Sequence, residues 1–217
     1  MRCGTLQLKI DLHVHTYYSH DSVITPQDLV FYSKKRGLDG VAVTDHDRLD
    51  SALKLAKEIS LFIIPGMEIE SANGHIVGLN LKEAVPKGLG VDETVDRIHE
   101  AGGIAVASHP ATFFKGSLGK NVSSKFDAVE VINSSAFPFN RSVKHGELLA
   151  SHLGKARVAG SDAHYGPEIG CAYTVVDAEP DVTELINAIK KGLCQPFGSA
   201  FPLTMRMKGF LARLNRR

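Results

Sequence analysis

Short apolar runs, each too short to be a helix, recur about seven times along this chain and alternate with polar turns and helix-like segments, which leaves few folds open. In the first run Leu8, Ile10, Leu12 and Val14 alternate with Lys9, Asp11, His13 and His15, the period of a strand. Gly40-Val41-Ala42-Val43, Leu61-Phe62-Ile63-Ile64, Ile76-Val77-Gly78-Leu79, Gly103–Ala107, Ala128–Ile132 and Arg157-Val158-Ala159 are near-continuous apolar stretches, as expected of strands buried on both faces. Between them Pro26 opens a helix capped by Thr25 and ended by Gly37. Asp50 is expected to cap a second helix, and further helices are expected near Val91–Ala101, Asn140–Leu153 and Asp181–Lys191. This alternation predicts an α/β fold with a parallel sheet and helices outside. The number of units, with no G-x-G-x-x-G turn, favours a (β/α) TIM-like barrel over a dinucleotide-binding sheet. Residues 1–197 read as one barrel domain and residues 198–217 as a basic C-terminal tail.

Composition excludes several classes. A hydrophobic fraction of 43% and a charged fraction of 23% suit a globular chain. No run approaches the length of a membrane span, and the N-terminus lacks a signal-peptide core, so a cytoplasmic protein is expected. Cys3, Cys171 and Cys194 are far apart and form neither a disulfide framework nor a zinc knuckle. The net charge of +1 hides an asymmetry: from Lys190 to Arg217 there are seven basic residues and no acidic one. Such a tail can contact nucleic acid or remain a solvated end. Met205, Phe210, Leu211 and Leu214 can form one apolar stripe there, although Gly209 weakens any helix.

The ends of the runs carry the chemistry. His13 and His15, His46, Glu68, His109, Asp162 and His164 all follow or close an apolar run. In a barrel those ends open on one face, where active sites sit. His13 and His15 share a face at i and i+2, and Asp162 and His164 repeat that spacing. Imidazoles and carboxylates without thiolate suit Zn, Mn or Fe. His75 precedes its strand and reaches the mouth only if that strand runs the other way or is locally distorted. Asp45 is either a partner that orients an imidazole or a loop or helix-capping carboxylate.

The ordered segments Asp11-Leu12-His13-Val14-His15-Thr16, Thr44-Asp45-His46, Gly66-Met67-Glu68, Ser108-His109-Pro110 and Ser161-Asp162-Ala163-His164 resemble the motifs of the PHP (polymerase and histidinol phosphatase) superfamily of metal-dependent phosphoesterases. The resemblance spans residues 8–165 and implies a distorted seven-stranded (β/α) barrel. It also implies two or three divalent ions. His13, His15, Glu68 and Asp162 would hold one; Glu68 would bridge to a second shared with His75 and His109; Asp21, His46 and His164 would hold a third. His75 enters through Gly74-His75-Ile76-Val77-Gly78, which matches the family's segment after the Glu. Where many members read Ser-Asp-Gly, this chain reads Ser19-His20-Asp21-Ser22; His20 or Asp21 is then the loop ligand, with Asp21 preferred.

The implied activity is hydrolysis of a phosphate mono- or diester by a hydroxide bridging two ions, with Glu68, Asp162 and His109 as the catalytic ligands. The substrate is expected to be a small phosphorylated metabolite, a nucleotide or a nucleic-acid end, with Arg141, Lys144 and Lys115 as candidate phosphate contacts. The insert that nucleotide-bisphosphate phosphatases of the family carry after the Glu/His segment is absent. Two other readings compete. One is a non-catalytic RNA-binding subunit resembling the RNase P barrel protein, which lacks the full ligand set; the other is histidinol phosphatase. The oligomeric state is left open.

Overall fold

The structure is a computed structural model that describes residues 6–113 and 116–216. Nine strands form one nearly closed sheet: β1 (Gln7–Val14), β2 (Gly40–Val43), β3 (Phe62–Ser71), β4 (Gly74–Leu79), β5 (Ile104–Ala107), β6 (Ala128–Asn133), β7 (Ala156–Gly160), β8 (Ala172–Asp177) and β9 (Cys194–Gly198). Their order is β7-β6-β5-β4-β3-β2-β1-β8-β9. The helices are α1 (Pro26–Arg36), α2 (Asp50–Glu58), α3 (Val91–Glu100), α4 (Phe139–Leu153), α5 (Val182–Lys190) and α6 (Leu203–Leu214). No described helix is long and apolar enough to cross a membrane.

The local rules hold at α1. The Thr25 side chain accepts from Asp28 N–H, Asp28 reaches back to the cap, and Gly37 ends the helix at φ 64°. Asp50 is not a cap. It is the first helical residue of α2, and its carboxylate takes two hydrogen bonds from Arg48, at 2.6 and 2.9 Å.

The barrel class is as expected, with nine strands rather than seven and a mixed sheet rather than a parallel one. β3 pairs with β2 in parallel from Phe62 to Pro65, then with β4 antiparallel from Gly66 to Ser71. Pro65-Gly66, expected to end the third strand, is instead where the strand changes partner. Only Ala72 and Asn73 separate β3 from β4, too few for the crossover that a parallel pair needs. β4 therefore runs backwards, antiparallel to β5 as well, and it is the reversed strand that His75 required. β8 and β9 add antiparallel partners beside β1.

The barrel closes where the top of β1 meets the segment after β7. His15 N–H donates to Ala163 O at 3.0 Å and Asp162 N–H to His13 O at 2.8 Å. One buried cluster draws on the interior side of the strands: Leu8, Ile10, Leu12, Ala42, Ile64, Val77, Leu79, Ile104, Val106, Ala128, Val158 and Val176, with Leu185, Ile186 and Ile189 of α5 against it. A second lies between the sheet and α1, α2 and α3, with Val14, Val41, Val43 and Ile63 facing Leu29, Leu55, Val95 and Ile98.

The sides taken by the two clusters show how the first two histidines come to face inward. Ile10, Leu12 and the lower part of β1 face the interior, yet Val14 faces the helices. The β1–β2 register shifts between Asp11 and Val14, so β1 gains one residue on its partner. A bulge of this kind re-aims the side chains that follow it. His13 and His15 thus take over the interior face that Leu8, Ile10 and Leu12 occupy below.

Candidate metal centre

Glu68 is the middle of the site. It lies inside β3 rather than at a strand end, is 1% exposed, and meets five imidazoles. His109 Nε2 is 2.9 Å from its carboxylate, His75 Nδ1 3.1 Å, His15 Nε2 and His46 Nδ1 3.2 Å each, and His13 Nε2 3.5 Å. Ser108 Oγ–H donates to the same group at 3.0 Å. Each neighbour has its own reason to be there. β2 continues past Val43 to bridge His46 to Glu68. The antiparallel register sets Glu68 opposite Val77, with His75 diagonal to it on the same face. His109 and Asp162 turn off their strands with φ of 28° and 57°, left-handed backbone that only well-braced non-glycine residues keep.

Asp162 Oδ1 lies 3.4 Å from His15 Nε2 and 3.6 Å from His13 Nε2. On the outer side Asp21 Oδ2 meets His164 Nε2 at 3.1 Å and His46 Nε2 at 3.3 Å. Four groups of donor atoms converge closely enough to hold an ion: His15, Asp21, His46 and His164; His13, His15 and Glu68; His13, His109 and Asp162; His46, Glu68 and His75. All nine candidate ligands are in them. His20 is in none among the described residues; it is exposed, with its ring 5.6 Å from that of His46.

Two buried atoms, Asp21 Oδ1 and His109 Nδ1, have no hydrogen-bond partner among the described residues. Leaving such atoms unsatisfied costs about 1–3 kcal/mol each. A cation beside Asp21 removes that cost for its oxygen, and thiolate-free His and carboxylate donors suit a borderline divalent ion. The residues fit the metals that the motifs imply.

Without ions, protons do the bridging. Burial opposes charge on Glu68, but the imidazoles around it outweigh that and hold its carboxyl far below the usual range. Asp162 and Asp21 are depressed in the same way, against burial, by His13 and by His164 with His46 respectively. In return His13, His109 and His164 are raised despite burial, and His46 is raised to about 9, chiefly by Asp21 and Glu68.

The supporting layer was only partly legible. Glu130, in the middle of β6, was not a candidate, yet its Oε1 accepts from His13 Nδ1–H at 3.0 Å and its Oε2 from His109 N–H at 2.7 Å. The available signal was a carboxylate inside the apolar run Ala128-Val129-Glu130-Val131-Ile132. Gly160 makes room for this pair: a Cβ there would lie 2.3 Å from His13 Cβ and 2.8 Å from Glu130 Oε1. Among the described residues no hydrogen bond joins Asp45 to an imidazole. Asp45 accepts from Thr16 and Ser51 and from Ser19 Oγ–H, and Ser19 Oγ in turn accepts from His15 Nδ1–H at 3.3 Å and from His46 N–H. It acts on the site through a hydroxyl.

Of the cavities that open at the cluster, two reach Asp162 and His164. One, about 180 Å³, is lined by Glu68, His75, His109, Thr112 and Ser135 with the outer ligands. The other, about 250 Å³, is lined by Asp21, Asp162 and His164 on one side and by Glu168, Phe201, Arg206 and Arg213 on the other. Arg141 and Lys144 line neither. Arg141 instead lies over the Phe113 ring at 4.4 Å, and Lys144 is exposed on α4. Lys115 lies outside the described residues. The cations at the mouth are instead Arg206 and Arg213 of α6, with Arg216 just past it, and Lys87, which lines a further cavity beside His46 and His75 with its Nζ 3.4 Å from Asp47.

A barrel whose mouth converges imidazoles on one buried carboxylate defines a metal-dependent hydrolase. The comparisons agree: residues 11–107 match the PHP domain model and residues 144–194 the PHP-associated model. The chain belongs to the PHP family of metal-dependent phosphoesterases. It is 38% identical over 141 residues to an uncharacterised protein of Methanocaldococcus jannaschii, covering 58% of this chain and 82% of that one. It is 40% identical over 86 residues to a 5'-3' exoribonuclease of Haemophilus influenzae, covering 36% of this chain but only 31% of that enzyme. Among solved structures, a two-domain protein of Bacteroides vulgatus containing a predicted PHP-like metal-dependent phosphoesterase superposes with a TM-score of 0.74 at 16% identity, over 97% of this chain and 71% of that one.

Proposed function

We propose that the protein hydrolyses a phosphate ester at a nucleic-acid end or on a nucleotide, with two or three divalent ions drawn from Zn, Mn and Fe. The observation that carries this reading is Glu68, sealed from solvent and in contact with five imidazoles. His13, His15, Glu68 and Asp162 would hold one ion, Glu68 with His75 and His109 or His46 a second, and Asp21, His46 and His164 a third. Such ions supply a nucleophilic water at neutral pH and neutralise the phosphoryl oxygens.

The remaining work falls to the chain. Glu130 fixes His13 with its Nε2 toward the centre, and Ser19, held by Asp45, does the same for His15. Ser108 and the imidazoles keep Glu68 anionic and in one orientation. The cavity of about 180 Å³ seats a phosphoryl group against the ligands, and the adjoining one leads outward to the rest of the substrate. Nucleic acid is favoured over a small metabolite by the similarity to an exoribonuclease, although that similarity covers under a third of the relative. A non-catalytic RNA-binding role is disfavoured because every ligand position is filled and converges.

Metal-loaded protein assayed with Mn, Zn and Fe against a monoester, a bisphosphate and short RNA tests the reading. Glu68→Gln is expected to abolish hydrolysis and lose two ions by elemental analysis, whereas Asp21→Asn loses one. Wild-type ion content in both variants, or no hydrolysis of any ester by loaded wild type, overturns it.

A further inference from the structure

Helix α6 lies across the barrel mouth, strapped at both ends by arginines. Near its start, Arg206 donates to the carbonyls of Ser134, Ser135 and Ala136, in the loop between β6 and α4. Just past its end, Arg216 donates to the carbonyls of Tyr17, Ser19 and Ser22, in the loop that carries Asp21. Between the straps Gly209 is buried against Tyr165 and Glu168. This explains the glycine that weakens the helix. A Cβ there would lie 2.7 Å from Glu168 Oε1, and the Glu168 carboxylate is itself held by the N–H groups of His164 and Tyr165.

A third arginine has no such job. Arg213 is half-buried and makes no hydrogen bond or ion pair among the described residues, while its charge acts on the nearby Glu168 carboxylate. It lines the cavity of about 250 Å³ that Asp21, Asp162 and His164 share. It also lines a second, of about 460 Å³, with His20, Asp21, Phe210, Leu214 and Arg216. It is thus the wall between the metal centre and an outer groove. Phe210, 56% exposed, stands on the groove side. An exposed phenyl ring beside a guanidinium that has no ion pair or hydrogen bond among the described residues, next to a phosphoryl site, matches a nucleotide unit: the cation takes a phosphate and the ring stacks on a base. Asp21, Asp162 and Glu168 oppose an anion in the inner cavity, so the phosphate contact falls on the groove side of Arg213, where Arg216 also lines the wall and Asp21 is the one carboxylate among the lining residues.

We propose that Arg213 and Phe210 form a subsite for the nucleotide adjoining the scissile phosphate, so that α6 selects an oligonucleotide strand over a simple phosphate ester. The inference rests on the phosphoesterase reading for its register but not for its binding. Occupation of the groove can be measured on chelator-treated protein, where nothing is hydrolysed.

The test uses a 5'-phosphorylated dinucleotide, by calorimetry on metal-free protein and by steady-state kinetics on loaded protein, with p-nitrophenyl phosphate as the ester that carries neither a base nor a second phosphate for the groove. Arg213→Gln and Phe210→Ala are each expected to weaken dinucleotide binding about tenfold or more, the scale of a stacking or phosphate contact. In kinetics the loss appears in KM rather than kcat, and the ratio of dinucleotide to p-nitrophenyl phosphate efficiency falls by the same factor. Arg213→Gln also lowers the salt dependence of binding by about 0.7 in log–log slope, one phosphate contact of a single strand. Arg213→Lys restores part of the affinity. Phe210 is exposed, so its substitution keeps the proposal testable if Arg213→Gln loosens α6. Unchanged dinucleotide affinity in both variants, or equal losses on both substrates, overturns the subsite. If loaded wild type hydrolyses no ester but the variants still bind the dinucleotide more weakly, the activity reading fails and the subsite stands.

Discussion

Glu130 shows at the residue scale how far the site extends beyond its ligands. A buried carboxylate bonded to a ligand imidazole fixes the ring's tautomer and orientation, and loss of such a partner costs roughly 10–100-fold in metal affinity. Glu130→Gln keeps the shape but removes the charge that faces His13 Nδ1 and His109 N–H. It is therefore expected to weaken metal binding by about that factor with an unchanged far-ultraviolet spectrum, measurable by competition with a chromophoric chelator. An unchanged affinity would show that the Glu130 bond only fills space. Seven of the nine candidate ligands were legible because a His or carboxylate following an apolar run is visible locally; Asp21 and His75 were named only through the family resemblance. Glu130 was not legible, because its partner lies 117 residues away and only the fold brings them together.

At the element scale, α6 and the β3–β4 hairpin are where tertiary context overrode local pattern. Ala exceeds Gly in helix propensity by about 1 kcal/mol, so Gly209→Ala would strengthen an isolated α6. Docked, the added methyl meets a carboxylate that two backbone N–H groups hold in place. The substitution is expected to destabilise the protein by about 2–4 °C per kcal/mol of net cost, and to raise hydrogen exchange in α6 specifically. A rise in melting temperature would mean that α6 does not press on Glu168. The β3–β4 hairpin departs from its local pattern for a related reason. Pro65-Gly66 is ordinary punctuation for a turn, but here the proline ends the parallel pairing and the glycine opens the antiparallel one, so the strand runs on.

For the whole molecule, the ligands come from strands and loops between His13 and His164, and ions would tie the barrel's closing seam to its far side. Binding to the folded state alone stabilises by about 2.7 kcal/mol per site at a hundredfold excess over Kd. Melting temperature should therefore rise with metal concentration and fall on chelation. The sign of its pH dependence follows from His46, raised to about 9 in the metal-free protein. Its proton-held contact with Asp21 stabilises fully below the ordinary histidine value near 6.5 and is lost as pH rises through about 9. An ion must displace that proton, so the metal-induced rise should be larger at pH 8 than at pH 6 by thermal scanning. An equal rise at both would exclude His46 as a ligand.

The sequence by itself determined the class of barrel, the alternation of most of its strands and helices, and the His and carboxylate side chains that follow its apolar runs. These depend on periodicity and on residue types within a few positions of one another. The tertiary structure alone decided that a bulge turns His13 and His15 inward, that β4 runs backwards, that Glu130 braces the centre, and that α6 lies across it with Arg213 in the cavity wall. Each of these is a contact between segments far apart in the chain. Such pairings leave no local periodicity, because their energy depends on what the fold places opposite.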